Sequence, residues 1–429
     1  MKQWTAFMVV IALVVSIPTG LLAWGAITHT YFATELGARW GNQNLQEIYG
    51  STLPDVFNLM YDSPYKEYLW TQTHYEFMKF AGEASGRSTK AAAYGFVSHN
   101  DDWGADKTAH HSAMTNPGEG YVITKANAIV PALVPRLIDV LTDAGVQDPA
   151  TVAQELAPAL GENFIETAVD ILVKRNEDPL AGFRLAVAAQ LRDIRVPFML
   201  SRAYARDLAA EFGISRFMAG LIIIRAEYEY RDLMRLYGGV FLKSEDEIIE
   251  LLAEQGAVLA QTLLKAETGC DVVVPAAPLA DFMRNVAIPA VEPDYGAEIA
   301  ATLAYLQTAM PAHGFTASAG EITASGKGSM EIPEATGGTL ALNQNHPNPF
   351  NPSTTISFHL PEESHVTLSV FNAEGRRIRT LVDGVLRGGY RQSMWDGADS
   401  RGNPVASGVY FYSLKAGGKI LTKKMVLVR

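Results

Sequence analysis

The sequence predicts a mainly α-helical domain followed by a small all-β sandwich of immunoglobulin-like type. Three observations carry this expectation. Apolar residues recur at three–four spacing through most of residues 24–310. A stretch rich in Gly, Ala, Ser and Thr follows over residues 311–340. From residue 341 onward the apolar period changes to two, in short runs separated by turn residues.

The first element is an export signal. Met1-Lys2 gives a positive start, residues 5–17 form an apolar run, and Pro18-Thr19-Gly20 break it before Leu21-Leu22-Ala23. That layout predicts a signal peptide over residues 1–23, cleaved after Ala23 to leave Trp24 first. Helices are expected over Ala126–Thr142, Val152–Ala159, Phe164–Val173, Leu185–Leu191, Met199–Phe212 and Ile248–Leu264. Ser244 and Glu247 have the spacing of a capping box just before the last of these. Residues 311–340 read as a flexible linker. In residues 341–429 the runs TTISFHL, HVTLSVF, RIRTLV, GVYFYSL and KKMVLVR read as strands.

Composition limits the function. Of 429 residues, 48% are hydrophobic and 19% charged, which excludes a disordered chain. The formal net charge of −11 disfavours nucleic-acid binding through charge alone. Cys270, the single cysteine, excludes a disulfide framework and a thiolate zinc cage.

Histidine placement points to metal chemistry. Five of the nine histidines, His29, His74, His99, His110 and His111, lie within residues 29–111, accompanied by Asp55, Asp101, Asp102 and Asp106. Imidazole with carboxylate and no thiol suits zinc or another borderline divalent ion. Read as one helix, Tyr94–His111 places His99, Asp102, Asp106 and His110 within roughly 80° of one another. Such a stripe could serve two adjacent metals. Asp106, the more central, is the expected bridge, and Asp102 competes for the role. His111 points away from this stripe. The aromatic segment Tyr61–Trp70 could reach the mouth of the site, although ordinary packing also accounts for it.

Four blocks follow in order: Trp24–His29, the Gly50–Asp55 segment ending in Pro-Asp, Thr73-His74-Tyr75-Glu76-Phe77, and Gly95–His99 followed by Asp106 and His110. Together they resemble the zinc-dependent phospholipase C superfamily, which includes glycosylphosphatidylinositol-specific phospholipase D and single-strand-specific zinc nucleases. The resemblance covers residues 24–175. It implies a helical catalytic domain binding two or three Zn2+ ions. One would be held by Asp55, His74, His99 and Asp106, and a second by Trp24, through its amine and carbonyl, with His29 and Asp106. A third would take His110 and a downstream pair. The family's downstream histidine is missing here, and Glu166 with Asp170, four apart on one helical face, is the expected substitute. Asp55 could ligate metal or accept a proton from the attacking water.

The implied activity is cleavage of phosphodiester bonds by a secreted phospholipase C, with a phospholipid or other phosphodiester as substrate and peripheral contact with a membrane surface. The alternatives are a secreted zinc nuclease acting on single-stranded nucleic acid and a non-catalytic metal-binding surface protein. Residues 342–429, with LNQNHPNPFNPSTTISFHLP, WDGADSRGNPVASGVYFYSL and a terminal KKMVLVR, resemble the C-terminal sorting domain of type IX secretion substrates. This implies a partner in the type IX secretion machinery and an extracellular or cell-surface location.

Overall fold

A computed structural model of the chain describes residues 24–37, 42–60, 63–143, 145–268, 273–318, 321–324, 340–342, 345, 350, 352, 354–372, 375–386 and 389–427. The expected signal peptide, residues 1–23, lies outside the described residues. The chain forms two compact units, divided between Gly326 and Lys327.

The first unit is helical. The elements that build the site are α1 (Ala26–Gly37), α2 (Asn42–Thr52), a 3-10 turn over Leu53–Leu59, α3 (Lys66–Tyr75), α4 (Met78–Gly82), α5 (Arg87–His99) and α6 (Ala105–His110). Long helices follow: α7 (Tyr121–Asp143), α8 (Pro149–Leu172), α9 (Ala181–Leu191), α10 (Val196–Phe212), α11 (Arg216–Val240) and α12 (Glu245–Thr268). The unit closes with α13 (Ala276–Phe282), α14 (Ile288–Val291) and α15 (Tyr295–Ala312). Among the described residues, α7 is long and apolar enough to cross a membrane by length and composition. Here it packs along α8.

The local reasons for these elements are visible. At α12, the Ser244 amide and hydroxyl both donate to Glu247, while the Glu247 amide lies 3.4 Å from Ser244 Oγ. That is the capping box the spacing predicts. Residues 152–159 and 164–172 belong to one longer helix, α8, started by the Asp148 side chain and Pro149, and Val173 begins the π-helical turn after it. Helices α2 and α5 meet at glycines. A Cβ on Gly95 would lie 1.9 Å from Glu47 O, and one on Gly50 would lie 2.1 Å from Ala92 O. Only hydrogen fits at these two contacts.

Two expectations are corrected. Tyr94–His111 is not one helix. α5 ends at His99, and Asn100 Oδ1 accepts from the amides of Asp102, Trp103 and Gly104. A side chain that takes up three amides in this way ends the helical ladder. Residues 311–340 are also not wholly a linker. α15 runs to Ala312, and β1 (Phe315–Ser318) pairs antiparallel with β2 (Glu321–Ala324). Phe315 is buried and the His313 ring stacks on Trp103 at 4.1 Å, which ties this hairpin to the helical unit.

The second unit is a small antiparallel sandwich. One sheet has the order β3 (Ala341–Leu342), β4 (Thr354–Leu360), β7 (Gly389–Trp395). The other runs β6 (Arg377–Leu386), β5 (Ser364–Asn372), β8 (Gly408–Ala416), β9 (Lys419–Leu427). Alternate residues Val366, Leu368 and Val370 of β5 turn inward with Ile356, Trp395 and Tyr412. Strand β7, GYRQSMW, was not expected because polar residues occupy most of its positions.

Candidate metal centre

Five short segments converge on one buried cluster. His29 sits in the first turns of α1, Asp55 in the 3-10 turn after α2, His74 near the end of α3, His99 at the end of α5 and Asp106 in the first turn of α6. All five are at most 3% exposed. Trp24 precedes them, fully buried, with its indole N–H donating to Ala105 O and Thr108 Oγ1 at 3.1 and 3.0 Å. Its ring stacks on Tyr121.

The imidazoles are oriented from behind. The Nδ1–H of His99 donates to Ser51 O at 2.8 Å, and that of His74 donates to Trp70 O at 2.9 Å. A carbonyl can only accept, so Nδ1 carries a proton in both rings and both Nε2 atoms are turned inward. The two Nε2 atoms stand 3.3 Å apart. Around them, Asp106 Oδ2 lies 2.7 Å from His99 Nε2 and 3.6 Å from His74 Nε2, while Asp106 Oδ1 lies 3.2 Å from His29 Nε2. Asp55 approaches His74 at 3.5 Å and His99 at 3.8 Å, and Asn58 Nδ2 donates to its Oδ1.

This donor set suits a cation. Two overlapping groups, His29–His99–Asp106 and Asp55–His74–His99, each place three ligand atoms within 4.8 Å of one another. His29 Nε2, both Asp106 carboxylate oxygens and Glu166 Oε2 are buried without an aligned hydrogen-bond partner among the described residues. Orphaned buried acceptors are costly unless a metal or proton satisfies them. These residues could therefore hold a metal ion, with the nitrogen and oxygen donors that divalent ions take.

A second layer surrounds His110. Asp101 Oδ1 lies 3.2 Å from His110 Nδ1 and 3.4 Å from His111 Nε2, and Tyr75 OH donates to Asp101 Oδ2. A carboxylate on Nδ1 turns Nε2 of His110 away from Asp101, and Asp106 and Glu162 act on the ring electrostatically. Glu162, half-buried on α8, interacts in turn with Glu166. Glu162 had no place among the residues expected from sequence. Glu162, Glu166 and Asp170 repeat every four residues on one face of α8, so spacing alone allows two pairs.

The structure sets two expected ligands, Asp102 and Asp170, apart from the cluster. Asp106 joins the cluster, but Asp102 is exposed in the turn after Asn100, on the side of Tyr305 and His313. Glu166 faces the cluster. Asp170 does not. Its carboxylate accepts from the amides of Ile27 and Thr28, from Thr28 Oγ1 and from Tyr237 OH, at 2.7–3.0 Å. It anchors the start of α1, where the helix dipole favours a negative charge. A Cβ on Gly25 would lie 2.4 Å from this carboxylate, which explains the glycine after Trp24. Asp170→Asn is expected to keep the metal content of the wild type while costing about 1–3 kcal/mol of stability. Parallel metal analysis and thermal melts check this, and loss of metal without loss of stability would restore Asp170 as a ligand. Of the aromatic segment, Tyr65 and Tyr68 pack on Phe212, and Trp70 stacks on the His74 ring at 4.3 Å.

Electrostatics show the cluster's demand for positive charge. Burial alone would lower the pKa of His99, but Asp106 and Asp55 outweigh it and push it up to about 9. Burial would likewise lower His110, but Asp101 takes it to about 10. Burial, then Glu162 and Asp55, raise the Glu166 carboxyl. Burial would raise Asp106, but His99 and His29 outweigh it and hold it below the carboxylate range. Burial and then His99 lower the pKa of His29.

These directions set a pH dependence for the metal-free protein. The histidines raised from 6.5 contribute stability that is fully present below that pH and lost as pH rises through about 9 and 10. Ionisation of Glu166 removes stability in the same direction, while His29 opposes it, its contribution being lost as pH falls below 6.5. Metal binding runs the other way, because ligands must shed protons. The gap between metal-loaded and chelator-treated melting temperatures is therefore expected to widen from about pH 6.5 to about pH 9. A gap that narrows would contradict the assignment.

Residues 345–419 match the FlgD Ig-like domain family. No curated protein matches the chain. Dimeric latent PorU from Porphyromonas gingivalis is 19% identical over 21% of this chain and 10% of its own, with a TM-score of 0.19. PorZ, an essential surface component of the type IX secretion system of the same organism, is 22% identical over 24% and 13%, with a TM-score of 0.16. The chain thus spans only about a tenth of the length of these two. The alkylpurine DNA glycosylase AlkC from Pseudomonas fluorescens, bound to DNA with an abasic-site analogue, is 13% identical over 72% of this chain and 96% of its own, with a TM-score of 0.17. Likeness at these scores carries no argument about what this chain does.

Proposed function

We propose that the helical unit is a zinc-dependent phosphodiester hydrolase of the phospholipase C type, acting outside the cell on phospholipids. The observation that carries the reading is the buried convergence of His29, Asp55, His74, His99 and Asp106. Asp55, His74, His99 and Asp106 would hold one zinc. Trp24, His29 and Asp106 would hold a second, and His110 with Glu162 and Glu166 a third. Bound there, zinc supplies Lewis-acid activation of water and neutralises charge at a phosphoryl oxygen.

The protein's own groups prepare that chemistry. Ser51 O and Trp70 O fix two imidazoles with Nε2 inward, so little reorganisation is left for the reaction. Asp106, reaching His29 through one oxygen and His99 and His74 through the other, is placed to share its charge between neighbouring sites. Asp55, which accepts from Asn58, would ligate or take a proton from the attacking water.

In this reading residues 1–23 direct export, and the C-terminal unit serves type IX sorting rather than catalysis. The test is metal analysis of the purified protein with parallel assays on phosphatidylcholine, bis(p-nitrophenyl) phosphate and single-stranded DNA. Zinc-dependent cleavage of the first two supports the reading. Cleavage confined to DNA replaces it with the nuclease, and a zinc-loaded but inert protein replaces it with a non-catalytic metal binder.

A further inference from the structure

The helical unit contains an apolar cavity of about 210 Å³ that reaches the metal cluster. Its walls come from one face of each of several helices: Leu133 and Leu137 of α7, Leu156 and Leu160 of α8, Leu233 of α11 and Phe282 of α13. Asp55 and Glu166 also line it, so the cavity and the cluster share two carboxylates. Along α8 the lining runs from Glu166 back to Leu156, ten residues or roughly 15 Å at the helical rise. Leu137, Leu156 and Leu160 remain half-buried, so this face is not sealed into the core.

Two features separate this cavity from a packing void. Protein interiors leave few gaps larger than a water molecule, and an apolar cavity of 150 Å³ already binds benzene. This one is larger and mainly apolar, with the carboxyl groups of Asp55 and Glu166 on its lining. A molecule that fits both features carries a cation-seeking head and a hydrocarbon body.

We propose that the cavity holds the single hydrocarbon chain of an amphiphilic phosphate ester whose phosphate sits at the metal cluster. The inference rests on the reading of that cluster as a phosphoester site, and it adds that recognition comes from one inserted chain. At about 210 Å³ the cavity is read as room for one chain rather than two side by side. Chain length sets affinity, because each methylene drawn from water into the cavity adds to binding.

The test is calorimetric titration of the metal-loaded full chain with butyl phosphate and dodecyl phosphate, below micelle-forming concentration. Dodecyl phosphate is expected to bind at least about 100-fold more tightly, as eight further buried methylenes allow. Farnesyl phosphate, with a branched chain, distinguishes isoprenoid from acyl-derived sources. Gly256→Leu fills the cavity from α12, where the nearest atom to an added Cβ is Leu279 Cδ1 at 3.8 Å. It should remove most of the chain-length gain and leave butyl phosphate binding unchanged. Ala159→Phe is the second filling variant, and the chain-length series on the unaltered protein decides the matter if both fail to fold. Equal affinity for butyl and dodecyl phosphate overturns the proposal, as does a chain-length gain that survives in folded filled variants. Hydrolysis is scored separately with bis(p-nitrophenyl) phosphate. Chain-dependent binding without hydrolysis removes the hydrolase reading and keeps this one, and hydrolysis without chain dependence does the reverse.

Discussion

Asp106→Asn is expected to lose about two metal equivalents and nearly all hydrolytic activity. The amide keeps the shape of the side chain but removes the negative charge shared between His29 on one oxygen and His99 and His74 on the other. Two neighbouring cations without a bridging anion repel each other, so both sites weaken together. Asp102→Asn is the matched control. Its side chain is exposed beyond the Asn100 turn, and the substitution should stay within about 0.5 kcal/mol with full metal content. Metal analysis of both purified variants decides between them. If Asp102→Asn empties the site and Asp106→Asn keeps its metals, the two aspartates have been assigned the wrong way round.

Gly95→Ala is expected to cost about 3 kcal/mol and to lower the melting temperature by roughly 6–12 °C. The added Cβ would stand 1.9 Å from the backbone oxygen of Glu47 and 2.8 Å from the amide nitrogen of Ser51. Neither is the end of a flexible side chain, so helices α2 and α5 must separate. That separation also strains the bond from His99 to Ser51 O, so metal affinity should fall with stability. Gly82→Ala, where nothing lies within 4 Å of the added carbon, is the control and should be neutral or slightly stabilising. A Gly95→Ala protein with unchanged melting and metal content would show that the close approach is not required.

How much of this was legible in the sequence depended on scale. Asp55, His74 and His99 each sit in a short block whose neighbours explain their placement. Pro54 starts the turn that carries Asp55, and its carbonyl accepts from Thr73 Oγ1 beside His74. Gly50 and Gly95 bring two of these blocks into contact. Such information is local, so spacing and residue type conveyed it. The helix register over 94–111 was not legible by periodicity, because Asn100 diverts three backbone amides to its own side chain. The composition Asn-Asp-Asp-Trp-Gly at 100–104 was the available sign of a turn.

The acidic stripe on α8 failed for another reason. Glu162, Glu166 and Asp170 are equivalent by spacing, and only the position of α1 assigns Asp170 to the amides of Ile27 and Thr28. Contacts between residues more than 140 positions apart do not show in a local pattern. The hairpin at 315–324 was hidden by small residues, whose composition also suits a linker.

The most direct measurement is anomalous diffraction at the zinc edge from crystals of the purified full chain. The account expects a strong peak among Asp55, His74, His99 and Asp106, and a second between Asp106 and His29. A protein crystallised with zinc that shows no peak within ligand distance of Asp106 would contradict it.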